Sequence, residues 1–150
     1  LFFAVATIRD ILPLSPVLGV GPGQYGGGAV AALHRTTAYD QAGIPFGVYR
    51  SEGYIDNNWF SLLGELGILG ILVYLWIFWR LCQSALSLWR KSSETWTKGL
   101  ALGFIGVLVA ISLEAFLGTY LEVRTLAPYV WILGGVVAVL SNRHPEETRY

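Results

Sequence analysis

Methionine is absent from this chain, cysteine occurs once, histidine twice, and charged side chains make up only 13% of its 150 residues. Each shortage excludes something. A lone Cys82 cannot close an internal disulfide and says nothing about redox compartment. His34 and His144 lie far apart and the acids show no ligand spacing, so no metal and no other cofactor is expected. Ten Lys and Arg balance ten Asp and Glu, so the bulk charge points to neither nucleic acid nor an anionic surface. Ordinary soluble domains carry about 25% charged residues. The deficit here, with 54% hydrophobic residues and a mean hydropathy of +0.54, favours an integral membrane protein. No charged segment with a small-residue cleavage site opens the chain, so a signal peptide is not visible. A Leu at position 1 and no Met anywhere make the chain read as a fragment of a larger multi-span protein.

What is present is ordered in blocks. Residues 1–12 read either as the end of a membrane span or as a short amphipathic helix, because Arg9-Asp10 interrupts the apolar run well before the roughly 20 residues a crossing needs. Pro13 and Pro16 then stop a helix. The glycines of VLGVGPGQYGGG allow close approach of backbone to a ligand, but without a surrounding βαβ unit they carry no nucleotide signal. Residues 29–57 are too polar for hydrocarbon and should form an ordered extramembrane loop, with a short helix at Ala29 to Leu33. A loop of about 40 residues in a compact protein tends to be functional.

The stretch Gly53 to Gly70, GYIDNNWFSLLGELGILG, begins as a polar loop and is expected to become a helix without a break, running on into ILVYLWIFW. On that helix Asn58, Leu62 and Glu65 share one face. Gly64, Gly67 and Gly70 form a second ridge, bare enough for another backbone to lie close. Three transmembrane helices are expected within 59–142, at about 60–81, 99–121 and 126–140, the second with a GxxxG pair at Gly99 and Gly103 suited to helix packing. Between the first two, Arg80, Arg90, Lys91 and Lys98 outnumber Glu94. Basic short loops stay in the cytoplasm; the tail 143–150 should follow, and the loop region 1–58 should be periplasmic. Trp59, Trp76, Trp79, Trp89, Tyr120 and Tyr129 fall near several of the expected interfaces, as an aromatic belt would. The fold class is thus an all-α integral membrane protein with a large Gly-rich loop ahead of its spans.

Two motifs in order, PVLGVGPGQY and, some thirty residues later, DNNWFSLLGELGILG, resemble the C-terminal part of the O-antigen ligase and O-antigen polymerase superfamily. These are multi-span glycosyltransferases of the bacterial inner membrane that act on polyprenyl-diphosphate-linked sugars. The resemblance covers Pro16 to Trp79. It implies transfer of a glycan from a polyprenyl-diphosphate oligosaccharide to a glycan or lipid acceptor, in contact with membrane lipid and without nucleic acid. Asp56 stands where the ligases have a catalytic His, and Asn57 follows as their Asn does. Glu65, Gly67 and Gly70 match the helix positions. The Asp-Asn pair is closer to polymerases and less characterised members. Some relatives have been described as solute or bicarbonate carriers, which keeps a transporter as the alternative, with Glu65 and Glu114 as pathway groups.

The chemistry then falls on few residues. Asp56 is the acid of the loop-to-helix motif and could accept the acceptor's proton; an unperturbed Asp has a pKa of about 3.9, so an efficient base there needs partial burial. Arg50 and Arg35 could grip the diphosphate through bidentate bonds, with Arg9 a weaker candidate by spacing. Gly21, Gly23, Asn57, Asn58, Glu65 and His34 are expected to line the substrate. Plainer roles stay open: Asp56 as a helix N-cap, the asparagines as turn residues, Glu65 as a packing acid, the arginines as solvated charges, and Glu114 paired with Arg124.

Overall fold

A computed structural model of the chain describes residues 2–26, 30, 32–33, 35–44, 57–118 and 126–143. The regular structure among the described residues is helical, with no strand among them. Phe2–Ala6 (α1) runs into a π-turn at Thr7–Ile11 and a 3-10 turn at Leu12–Leu14, where Pro13 ends regular helix. Val30, Ala32 and Leu33 have helical backbone, at the position expected for a short helix. Thr37–Ala42 (α2) follows and stops at Gly43, whose φ of 66° is the left-handed C-cap conformation. Three longer helices complete the chain: Asn58–Lys91 (α3), Thr95–Glu114 (α4) and Ala127–Arg143 (α5).

Helices α3 and α4 are long and apolar enough to cross a membrane, with best-window hydropathies of 2.0 and 1.8. Helix α5 is apolar but has 17 residues, short of the roughly 20 a straight crossing uses. The expected unbroken helix after Asn58 is not what forms. Gly67 takes φ 67° and ψ −168°, which divides α3 into a short limb, 58–66, and a long limb, 68–91. The long limb alone exceeds the crossing length, and it begins about two turns after residue 60, where the span was expected to start.

The chain divides into two compact units. The first holds residues 1–74 and 114–123. Its core packs Ile11, Tyr25, Val30, Ala38 and Tyr39, with Val20, Ala42 and Ile44 around them. The second holds residues 75–113 and 124–150. There Ala85, Leu88, Ala101, Phe104, Leu108 and Val137 are buried, and Phe78 meets Trp131 edge-to-face at 6.2 Å. Close approach in this unit falls at Gly134, where an added Cβ would touch Leu81 and Phe104. Nothing lies within 4 Å of a Cβ built at Gly99 or Gly103. The turn between α3 and α4 is set by Ser92, whose hydroxyl accepts from the Glu94 amide at 3.2 Å, and by Glu94, whose carboxylate accepts from Thr97 at 2.6 Å. An open apolar groove in the second unit is lined by Leu75, Phe78, Trp79 and Cys82 from α3 and by Ile105 and Val109 from α4.

Candidate functional site

The two motifs that stand apart in the sequence are hydrogen-bonded to one another, and the break at Gly67 is where they join. In an unbroken helix the Ile68 and Leu69 amides would donate to the Gly64 and Glu65 carbonyls. Here Ile68 donates to the Pro16 carbonyl at 2.9 Å and Leu69 to the Val17 carbonyl at 3.2 Å. The stranded Gly64 and Glu65 carbonyls accept instead from Val20 and Gly21, each at 2.9 Å. Two helical bonds are thus opened and four loop–helix bonds replace them. Left unpaired in an apolar setting, each of those groups would cost about 1–3 kcal/mol.

Glycine is what lets the loop come this close. A Cβ at Gly67 would fall on the Val17 carbonyl and the Gly19 amide, and one at Gly19 on the Glu65 and Leu66 backbone. Both residues also hold positive φ, 67° and 73°, where L side chains are strained. The expected glycine ridge is therefore used, but by a loop rather than by a second helix. Gly64 receives the Tyr25 ring, whereas Gly70 faces its own Leu66 side chain.

Tyr25 closes the motif and is the hub of the site. Its amide donates to Glu65 Oε1 at 3.1 Å, and its carbonyl accepts from the Ser61 hydroxyl at 3.3 Å. Its hydroxyl shares a buried 2.9 Å hydrogen bond with Thr7. The ring lies 5.4 Å from that of Tyr39, whose hydroxyl accepts from the Gly26 amide at 3.2 Å. Burial pushes the Tyr25 phenol up to about 12 and raises that of Tyr39 as well. Both rings therefore stay neutral through the physiological range. Sequence reasoning quoted Tyr25 as the last residue of its motif without weighing it. The available signal was a large aromatic set among glycines, which leave room for one ring and no other side chain.

The start of α3 is tied down separately. Asn57 caps it, Oδ1 accepting from the Phe60 amide at 3.2 Å, and its Nδ2 donates to the Phe116 carbonyl at 3.0 Å. The Asn58 amide donates to the Ala115 carbonyl at 2.8 Å. Trp59 bridges Phe116 and Tyr74, with ring centres at 6.3 and 6.2 Å. Asn57 thus makes a cap of the kind expected of Asp56, which itself lies outside the described residues. Asn58 is unlike its neighbour: its side chain is fully buried, and neither Nδ2 nor Oδ1 has a hydrogen-bond partner among the described residues. A buried amide without partners calls for an explanation.

The remaining expected residues divide clearly. Gly21 holds the loop to Glu65 as above, and Gly23 lies in the turn closed by the Gln24 amide on the Gly21 carbonyl, 3.2 Å. Glu65 accepts from a loop amide, that of Tyr25. Arg35 is exposed and makes no ion pair among the described residues. Arg9 is committed to a two-bond pair with Asp10, at 2.7 and 2.9 Å. Asp56, Arg50, His34 and Arg124 lie outside the described residues. Among the described residues no group of His, Cys, Asp and Glu could hold a metal ion. Loop motif, Glu65, Asn57 and Asn58 are therefore brought together in one unit, with Arg35 in the same unit. No protein-family model, no curated protein and no solved structure matches the chain.

Proposed function

We propose that this chain is part of a membrane glycosyltransferase of polymerase or ligase type. It would transfer a glycan from a polyprenyl-diphosphate carrier to a sugar hydroxyl during surface polysaccharide assembly, from the periplasmic face of a bacterial inner membrane. One observation carries the reading: Gly21 and Tyr25 of the first motif bond to Glu65 of the second. Motifs that resemble one family only as a pair are a pair in three dimensions as well. Asp56 is the base in this proposal, one residue before the Asn57 cap. Arg50 and Arg35 hold the leaving diphosphate, whose charge grows in the transition state. Asn58 supplies an amide able to donate to and accept from a sugar hydroxyl.

The test is reconstitution of the full-length protein in liposomes with a polyprenyl-diphosphate oligosaccharide, following released polyprenyl diphosphate and glycan length. A ladder of lengths unaffected by EDTA is expected of a metal-free polymerase, and transfer of one block to a second acceptor of a ligase. Asp56→Ala and Arg50→Ala are expected to abolish long glycan while the protein still inserts. Normal chain length in both would sink the site assignment. A helix broken beside a carboxylate favours a second reading, since discontinuous helices build ion and substrate sites in transporters. Solute uptake that is lost in Glu65→Gln, with no turnover of any lipid-linked donor, would select it.

A further inference from the structure

The apex of the Pro16–Gly21 loop presents Val17 and Leu18 with 59% and 68% of their surface uncovered. No charged side chain occurs between Asp10 and Arg35. An aqueous loop of this composition would be unusual, because exposed large apolar groups side by side mark a contact surface. The apex is fixed to the first turn of the long limb of α3 through the Ile68 and Leu69 amides. There the uncovered side chains of Leu69, Leu72 and Val73, at 51%, 57% and 48%, carry the same apolar character along the helix. The helix of which that limb is the larger part is long and apolar enough to cross a membrane.

We propose that Val17 and Leu18 are immersed in bilayer lipid, so that Pro16–Gly21 is a re-entrant segment and not part of an aqueous loop. The backbone bears on how deep the segment lies. Irregular backbone survives at membrane depth only when its polar groups are satisfied by protein or by water. In this loop Pro16 has no N–H, and the Ser15, Gly19, Val20 and Gly21 amides are all bonded within the protein. The Pro16 and Val17 carbonyls accept from the broken helix. The amides of Val17 and Leu18 and the carbonyls of Leu18, Gly19 and Val20 have no partner among the described residues, which sets the depth. They belong at the edge of the hydrocarbon, within reach of lipid ester carbonyls and interfacial water, while their side chains point into the acyl chains. The inference stands apart from the glycosyltransferase reading and does not depend on it.

The test is spin-label accessibility in the full-length protein, with Cys82→Ser removing this chain's native thiol, reconstituted in phospholipid nanodiscs with no added carrier lipid. Labels go at Val17→Cys and Leu18→Cys, with Leu72→Cys as the lipid reference and Gln41→Cys as the water reference. Both loop labels project from uncovered positions and leave the four loop–helix bonds untouched. Their ratio of collision with oxygen to collision with a water-soluble nickel chelate should match Leu72 and be inverted at Gln41. Collision with the nickel chelate as frequent as at Gln41 would overturn the proposal, as would a label reached by neither reagent, which would mean protein covers the apex.

Discussion

A methyl group added at Gly67 or Gly19 would have to occupy space already filled by main chain, and would do so at a positive φ. Left-handed strain of 1–2 kcal/mol and overpacking of 1–3 together give a loss of roughly 2–5 kcal/mol for Gly67→Ala or Gly19→Ala. Thermal or SDS unfolding in detergent reads it directly. Gly103→Ala is the control: nothing lies near its Cβ, and better helix propensity should leave it neutral or up to about 1 kcal/mol more stable. Asn58 offers the opposite trade. Replacing its buried, unpartnered amide by the similarly branched Leu should raise stability by about 1–3 kcal/mol. In the transfer assay the same Asn58→Leu protein should lose glycan extension, if the amide is kept for substrate. A variant that is both more stable and fully active would assign Asn58 to folding alone. At this scale much was legible beforehand. Glycine spacing pointed to a close approach, and Asn58 and Glu65 were singled out by their place on a helix. Which asparagine capped and which stayed unpaired was not legible, since both residue types suit either role and the difference lies in the carbonyls of Ala115 and Phe116, more than fifty residues away.

Between residues and the whole lies the joint of loop and broken helix, held around Tyr25. Its phenol is raised to about 12 by burial, while in the unfolded chain it titrates near 10. The neutral form is the folded one, so its contribution is fully present below pH about 10 and is lost as pH climbs toward about 12, at roughly 1.4 kcal/mol per pH unit. Tyr39, raised for the same reason, adds to the slope. Tyr25→Phe should flatten part of that alkaline loss, and it should cost about 1 kcal/mol near neutrality for the bond to Thr7. Unfolding followed with tyrosinate absorbance across that range checks both. The break itself escaped the sequence reading for a physical reason. LGELGILG keeps its apolar period straight through Gly67, and hydropathy responds to side chains. What opens the helix is competition for four backbone groups by a segment 44 to 52 residues earlier.

Across the whole chain, the regular structure among the described residues is all helix, with α3 and α4 long and apolar enough to span a membrane. Apolar run length made this visible at once, although the expected second span, 99–121, runs seven residues past the end of α4 at Glu114. The basic turn between α3 and α4 gives a direct test of the topology. In intact cells an impermeant maleimide should reach Gln41→Cys from outside and should reach Ser93→Cys only after the inner membrane is opened. Equal labelling of both before opening would reverse or abolish the proposed orientation.

The joint at Gly67 also has a history in time. A ribosome adds about 5–20 residues per second, so Pro16–Gly21 emerges some seconds before the limb it will bond. When the 58–91 stretch first appears, the nearest partners for Gly64 and Glu65 are Ile68 and Leu69, and the quickest helix is the straight one. Docking of the earlier loop must then exchange two local bonds for four distant ones. Gly67 decides how readily that exchange runs, and a chain with Ala there would tend to remain in its first, straight form.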